Sequence, residues 1–263
     1  MELQLFQVDA FNDQLFGGNP ACVVPLANWL TDELLLKIAR ENAVAETAFF
    51  IHKGDHFHIR WFTPDIEMDL CGHATLATAH VLMSHLGHES KEISFESRSG
   101  LLKVSGKASY YTLNFPSRTP VKTELPELIR KGMDLQPKEV LKARDYVLVF
   151  DKEEDIRDIK LDRQILDQIN LDPGGIIITS KGNEVDFVSR FFTTQSTHFE
   201  DPVTGSAHCS LIPYWSKQLG KEEMSALQLS DRVGKLRCVN AGDRVLISGQ
   251  AKTYLSGKIY LED

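Results

Sequence analysis

Leu70 to His80 read LCGHATLATAH, which sets the thiol of Cys71 two residues from the imidazole of His73. A thiol beside a base suits nucleophilic catalysis, and both groups are also common zinc ligands. Further on, Thr204 to Leu211 read TGSAHCSL and put His208 next to Cys209. Neither stretch matches a metal template such as HExxH or CxxC, and a metal needs three or more converging ligands. Side chains two apart on a helix do not face each other, which weakens a Cys71–His73 pair. Both thiols therefore read as buried fillers. The two stretches share a different feature, a glycine followed by one polar residue and an alanine: Gly72-His73-Ala74 and Gly205-Ser206-Ala207. A glycine opening a helix lets a ligand approach the backbone closely. The unpaired N–H groups and positive dipole end of the first turn then favour an anion such as a carboxylate. The plainer alternative is that both glycines only make tight loop-to-helix turns.

Two acidic residues complete the set. Glu46 stands in the apolar run Val44 to Phe50, where burial would raise its pKa and make it a proton shuttle near neutral pH. A surface glutamate at a strand start fits the same run. Asp201, just before Pro202, could position a substrate amine or hydroxyl, or close its own loop as an Asx-turn.

The elements that must hold these residues are short strands and a few helices. Leu3 to Asp9 alternates as a strand, and Gly17-Gly18-Asn19-Pro20 signals a turn into the apolar run Ala21 to Pro25. Thr31 can cap a helix bearing Leu34, Leu35, Ile38 and Ala39 on one face. Ala48–His52 and His56–Phe62 read as a hairpin, and an Ala-rich helix runs from Gly72 to Leu86, stopped by Gly87. Strands follow near 92–96, 101–105 and 110–115. The polar stretch 117–145 is the candidate boundary, giving lobes 1–117 and 118–263, the last strand packing back on the first lobe. The second half has a strand at 146–150, a helix near 161–170, strands at 175–179 and 186–192, a helix from Gly205 to about Leu219, and closing strands.

The halves repeat each other. Arg60-Trp61-Phe62-Thr63 precedes Cys71-Gly72, and Arg190-Phe191-Phe192-Thr193 precedes Thr204-Gly205, with offsets of 130 and 133 residues. A near-constant offset over a strand, loop and glycine-opened helix points to internal duplication, the plainer alternative being coincidence between two short strand–helix junctions. Two such halves would meet at a cleft, where small-molecule sites usually lie.

Bulk properties narrow the class. The 263 residues are 42% hydrophobic and 25% charged, as in ordinary globular proteins, and the net charge of -8 with no basic stripe argues against nucleic acid. No apolar run approaches membrane-spanning length, the first residues do not read as a signal peptide, and four scattered cysteines suggest free thiols in a reducing cytoplasm.

The phrases VDAFNDQLFGGNPACVV (Val8 to Val24), ENAVAETAFF (Glu41 to Phe50), RWFTPDIEMDLCGHATLATAHVL (Arg60 to Leu82) and FEDPVTGSAHCSL (Phe199 to Leu211) resemble the phenazine-biosynthesis PhzF-like isomerases. Only residues 117–170 carry little of the likeness. The resemblance implies an α/β (α+β) fold of the diaminopimelate epimerase type. Its two pseudo-symmetric lobes are each a central helix wrapped by a mixed β-sheet or barrel. It implies an isomerase without cofactor or metal, moving a proton within a small carboxylate substrate. The family's acid–base glutamate falls on Glu46, and its substrate-binding residues fall on Gly72, His73, Asp201, Gly205 and Ser206. Diaminopimelate epimerase works with two cysteines; here Cys71 matches the first position and Thr204 occupies the second, which excludes two-thiol racemisation. The alternatives are a non-catalytic binding or interaction protein on the same fold, and a one-thiol amino-acid epimerase using Cys71. A homodimer is expected, as symmetric pairs are the commonest assembly.

Overall fold

The strands of the chain pair in the same sequence of directions twice over. In the computed structural model, which describes residues 1–107, 109–172 and 174–262, the chain separates into one unit of Met1–Asn114 with Ser248–Asp263 and a second of Phe115–Ile247.

Unit 1 contains β1 (Glu2–Ala10), β2 (Asn19–Pro25), α1 (Asp32–Asn42), β3 (Glu46–Lys53), β4 (His56–Phe62), β5 (Glu67–Met68), α2 (Gly72–Ser84), β6 (Glu92–Ser97), β7 (Gly100–Lys107) and β8 (Tyr110–Pro116). β1 and β2 are antiparallel, β2 and β3 parallel across α1, and β3 and β4 form a hairpin. β4 and β6 are parallel across α2, and β6, β7 and β8 are antiparallel. The long β17 (Arg244–Tyr260) pairs with β8 and with β1, which closes a barrel of eight strands. The α1 helix starts at the Thr31 cap expected from sequence, and its Leu35, Ile38 and Ala39 pack on Val24, Phe49 and Phe62.

The α2 helix packs against β1, β2, β3 and β7. Gly72 through Ala79, Val81 and Leu82 are all buried, so over this length it has no solvent-facing side. A helix that is apolar all round belongs in an interior. Its small residues Ala74, Ala77 and Ala79 let strands close around it. Thr75 and Thr78 take part without an unmet hydroxyl, because they donate to the carbonyls of Cys71 and Ala74.

Unit 2 contains β9 (Val121–Lys122), α3 (Glu127–Lys131), β10 (Glu139–Lys142), β11 (Tyr146–Val149), α4 (Glu153–Asp158), α5 (Arg163–Leu166), β12 (Ile176–Lys181), β13 (Phe187–Phe192), β14 (Glu200–Asp201), α6 (Gly205–Leu219), β15 (Glu223–Gln228) and β16 (Gly234–Ala241). From β10 to β16 the pairings run antiparallel, parallel, antiparallel, parallel, antiparallel, the order found from β1 to β7. The duplication extends to single contacts. Arg60 forks onto Glu67 at 2.7 Å twice, and Arg190 forks onto Glu200 at 2.7 and 2.8 Å. The two guanidiniums lie 5.1 Å from the Phe62 ring and 4.9 Å from the Phe192 ring. In the loops that follow, Thr63 Oγ1 donates to the Ile66 carbonyl and Thr193 Oγ1 to that of His198.

Two local features depart from the sequence reading, and a third follows it across a proline. The polar stretch 117–145 holds β9, α3 and β10, anchored by buried Ile129 and Met133. The helix expected near 161–170 is only α5. The chain tightens after Leu166 into i−3 bonds from Gln168 and Ile169, and a separate α4 precedes it. Pro213 sits inside α6 without breaking it. A proline cannot donate to the carbonyl four residues back, and here the Arg118 N–H takes that place on Cys209 at 2.9 Å. No helix among the described residues is long and apolar enough to cross a membrane.

Gly18 and Gly54 share φ +67°, but a Cβ on Gly18 would lie 2.1 Å from the Ala10 carbonyl oxygen, whereas one on Gly54 meets nothing within 4 Å. Gly54→Ala is expected to cost about 1 kcal/mol for the left-handed backbone, and Gly18→Ala clearly more, because backbone must move. Denaturant midpoints check this, and equal costs would refute it.

Candidate active site

Glu46 opens β3, where its parallel partner in β2 is Ala21, and His73 is the second residue of α2. Glu46 Oε2 and His73 Nε2 are 3.0 Å apart, with side-chain exposures of 15% and 3%. That is ion-pair range, although the two groups are not aligned for a hydrogen bond. On the other side of the ring, Nδ1 lies 3.0 Å from Nδ2 of the fully buried Asn19 and 3.6 Å from Cys71 Sγ. Gly72 lies between Cys71 and His73 as the first residue of α2.

The Cys71–His73 contact corrects the helical-facing argument made from sequence. Cys71 is the N-cap, with extended φ −137° and ψ 112°, so the rule for residues two apart inside a helix does not govern it. Its chemistry is unpromising all the same. Burial pushes the Cys71 thiol up to about 11, with the Glu46 charge adding to the rise. Burial likewise pushes Cys209 to about 11, Cys22 to about 12 and Cys238 higher still. For His73, burial pulls the pKa down, but the neighbouring Cys71 and Glu46 outweigh that and leave it well above the ordinary imidazole value. Since the thiol stays protonated near neutrality, the Glu46 carboxylate is the charge that favours an imidazolium there.

Glu46, Cys71 and His73 bring three metal-type donor atoms within 4.8 Å of one another. The set does not suit an ion. Glu46 faces Nε2 and Cys71 faces Nδ1, and an imidazole offers a given metal only one nitrogen.

In unit 2, Thr204 is the N-cap of α6, and Gly205 and Ser206 are its first two residues. Thr204 Oγ1 donates to the Asp201 carboxylate and accepts from Gln228, whose side chain also accepts from the Thr204 N–H. Asp201 thus closes its own loop. Arg144 donates to Ser206 Oγ at 2.8 Å and pairs with the buried Asp145. His208 turns Nδ1 to the Thr204 carbonyl, and burial holds it down at about 4. Cys209 points at the Gly205 carbonyl, so these neighbours form no pair. Sequence reasoning missed Asn19, Arg144 and Gln228. For Asn19 the signal was present in the Gly17-Gly18-Asn19-Pro20 turn, read only as a turn.

A mixed α+β fold with an eight-stranded barrel, a duplicated strand order and a glycine-opened buried helix defines the epimerase-like class. A hydroxyproline epimerase from Agrobacterium vitis shares the fold at a TM-score of 0.64 and 13% identity, over 100% of this chain and 93% of that one. The chain belongs to the PhzC/PhzF family of phenazine biosynthesis-like proteins, whose family model matches residues 8–257. It is 45% identical to an uncharacterized isomerase of Pseudomonas aeruginosa, over 99% of this chain and 100% of the relative. It is 42% identical to a PhzF-family crystal structure from Enterococcus faecalis, with a TM-score of 0.94 over 99% and 100% of the two chains.

The raised, buried thiols give a direct expectation. Native protein at mildly alkaline pH should react with iodoacetamide far more slowly than the denatured chain, in which all four cysteines are open. Rapid native labelling of Cys71 would contradict the assignment of an inert thiol.

Proposed function

We propose that the protein is a cofactor-independent isomerase that moves a proton within a small carboxylate-bearing substrate, with Glu46 as general acid–base. The observation that carries this reading is the carboxylate of Glu46 held 3.0 Å from His73 at the glycine-opened start of α2. The naming of a relative 45% identical as an isomerase points the same way. Glu46 accepts a proton from a substrate carbon, breaking the C–H bond as its own O–H bond forms. It then returns that proton to another carbon, so the substrate is rearranged with no net change in atoms or electrons. His73 and the N–H groups of the first turn of α2 stabilise the negative charge that develops between the two transfers. The same reading gives Gly72, His73, Asp201, Gly205 and Ser206 a substrate-binding role. A one-thiol epimerase is disfavoured because Cys71 titrates at about 11 and lies against His73.

Free, buried cysteines fit a reducing compartment, and the reading includes a cytoplasmic homodimer. A light-scattering mass near 29.6 kDa at micromolar concentration would overturn the dimer.

Glu46→Gln tests the chemistry. In heavy water, the wild type should catalyse deuterium incorporation into a cyclic amino or hydroxy acid that it turns over. The variant should fold and lose the rate by about 10²–10⁴-fold, the usual worth of a positioned acid–base group. A variant that exchanges at the wild-type rate removes Glu46 from the mechanism.

A further inference from the structure

We infer that Asn19 is a positioning residue that fixes the proton of His73 on Nε2, facing Glu46. The inference deepens the reading of Glu46 and His73 as reaction partners and rests on it. Asn19 is 0% exposed and its amide nitrogen lies 3.0 Å from His73 Nδ1. An amide N–H has only protons to give, so Nδ1 must offer its lone pair and the ring proton must sit on Nε2. The second neighbour of Nδ1 acts in the same sense. Burial pushes the Cys71 thiol up to about 11, so its S–H is present as a second, weaker donor beside that lone pair. Whenever the ring is neutral, its proton is therefore set on Nε2, on the side of the Glu46 carboxylate.

Two forces compete for this ring. The ionisable groups acting on it are Cys71 at the N-cap of α2 and Glu46 on β3, and the Glu46 charge favours a doubly protonated imidazolium. The amide of Asn19 opposes it, because a proton on Nδ1 would face the amide N–H. An imidazolium would require Asn19 to turn its carbonyl oxygen to the ring instead. Asn19 thereby weakens the hold of an imidazolium on Glu46, and eases the release of the carboxylate to take a proton from carbon.

The backbone is built to hold the amide there. Gly18 carries φ +67° with no room for a Cβ, and Asn19 follows as the first residue of β2. The duplicated unit keeps the gesture with other chemistry. The registers Ala21 with Glu46 and Tyr146 with Ile176 place Arg144 where unit 1 has Asn19. Arg144 reaches Ser206, the second residue of α6, as Asn19 reaches the second residue of α2. With Ile176 in place of Glu46 and Ser206 in place of His73, that copy has no ring proton to direct.

Ring-nitrogen NMR of labelled histidine, with the His73 signals assigned by their loss in His73→Gln, reads the tautomer without any substrate. Above the midpoint of ring protonation, where the ring is neutral, the wild type should show His73 protonated on Nε2 and bare on Nδ1. Asn19→Asp, which replaces the donor with an acceptor, should move the midpoint of ring protonation up by about one pH unit or more, roughly tenfold in proton affinity. Asn19→Leu should release Nδ1 to take a proton. A neutral wild-type ring that carries its proton on Nδ1 overturns the inference even where neither variant folds, as does a folded Asn19→Asp with unchanged His73 signals. Failure here leaves the deuterium-exchange test of Glu46 untouched, so the two readings fall separately.

Discussion

A helix enclosed by strands has nothing of its flanks to offer a ligand, and that constraint organises this protein. The buried faces of α2 bring apolar atoms out of water at roughly 25 cal/mol per Å², which is the reason for enclosing it. Its reactive capacity is left at the first turn, where the backbone N–H groups have no helical partner. Elsewhere such groups are met by a cap, as Thr31 meets Leu34 in α1. Cys71 and Thr204 make no such side-chain bond at the starts of α2 and α6. The parallel pairing of β2 with β3 then delivers Asn19 and Glu46 to opposite nitrogens of His73.

The duplication shows how one scaffold carries unequal chemistry. The arginine–glutamate forks, the threonine loop bonds and the strand directions agree in both units, and these are the contacts that hold a strand, loop and helix in register. The residues that differ are the ones at the helix start: Cys71 against Thr204, His73 against Ser206, Glu46 against Ile176, Asn19 against Arg144. Scaffold interactions are met in each copy because each must fold. The titratable group that can move a proton needs to exist only once.

Much of this was legible in the sequence. The glycine starts of α2 and α6 and the Thr31 cap were read at the residues where they occur, since caps and helix-opening glycines are local signals. The repeat was visible because Arg60 and Arg190 carry their neighbours with them. Residues 117–145 were opaque because β9, α3 and β10 are too short for periodicity to register, and a few scattered apolar residues such as Ile129, Met133 and Leu141 tie them down. The helix from Gly205 to Leu219 was read as continuous across Pro213, but the reason it survives was hidden, because Arg118, far away in sequence, supplies the missing donor. Asn19 and His73 are 54 residues apart, and no local pattern announces that an amide will meet a ring. Cys71 was read correctly as a buried thiol, and only its contact with His73 was misjudged, through the difference between a cap and a first helical residue.

The barrel of unit 1 closes only through β17, and this has a consequence for the order in which the chain acquires structure. Unit 2 is a continuous stretch, whereas unit 1 needs residues from Ser248 onward that lie downstream of all of it. During synthesis the ribosome therefore releases every strand of the first barrel except the one that joins β8 to β1 before it has finished unit 2. The open edges of β1 and β8 must wait unpaired, a state that invites wrong partners. Vectorial synthesis thus reverses the usual precedence: the part written first cannot be completed until the chain of unit 2 has been made, and the enclosure around Glu46 and His73 waits for the last strand.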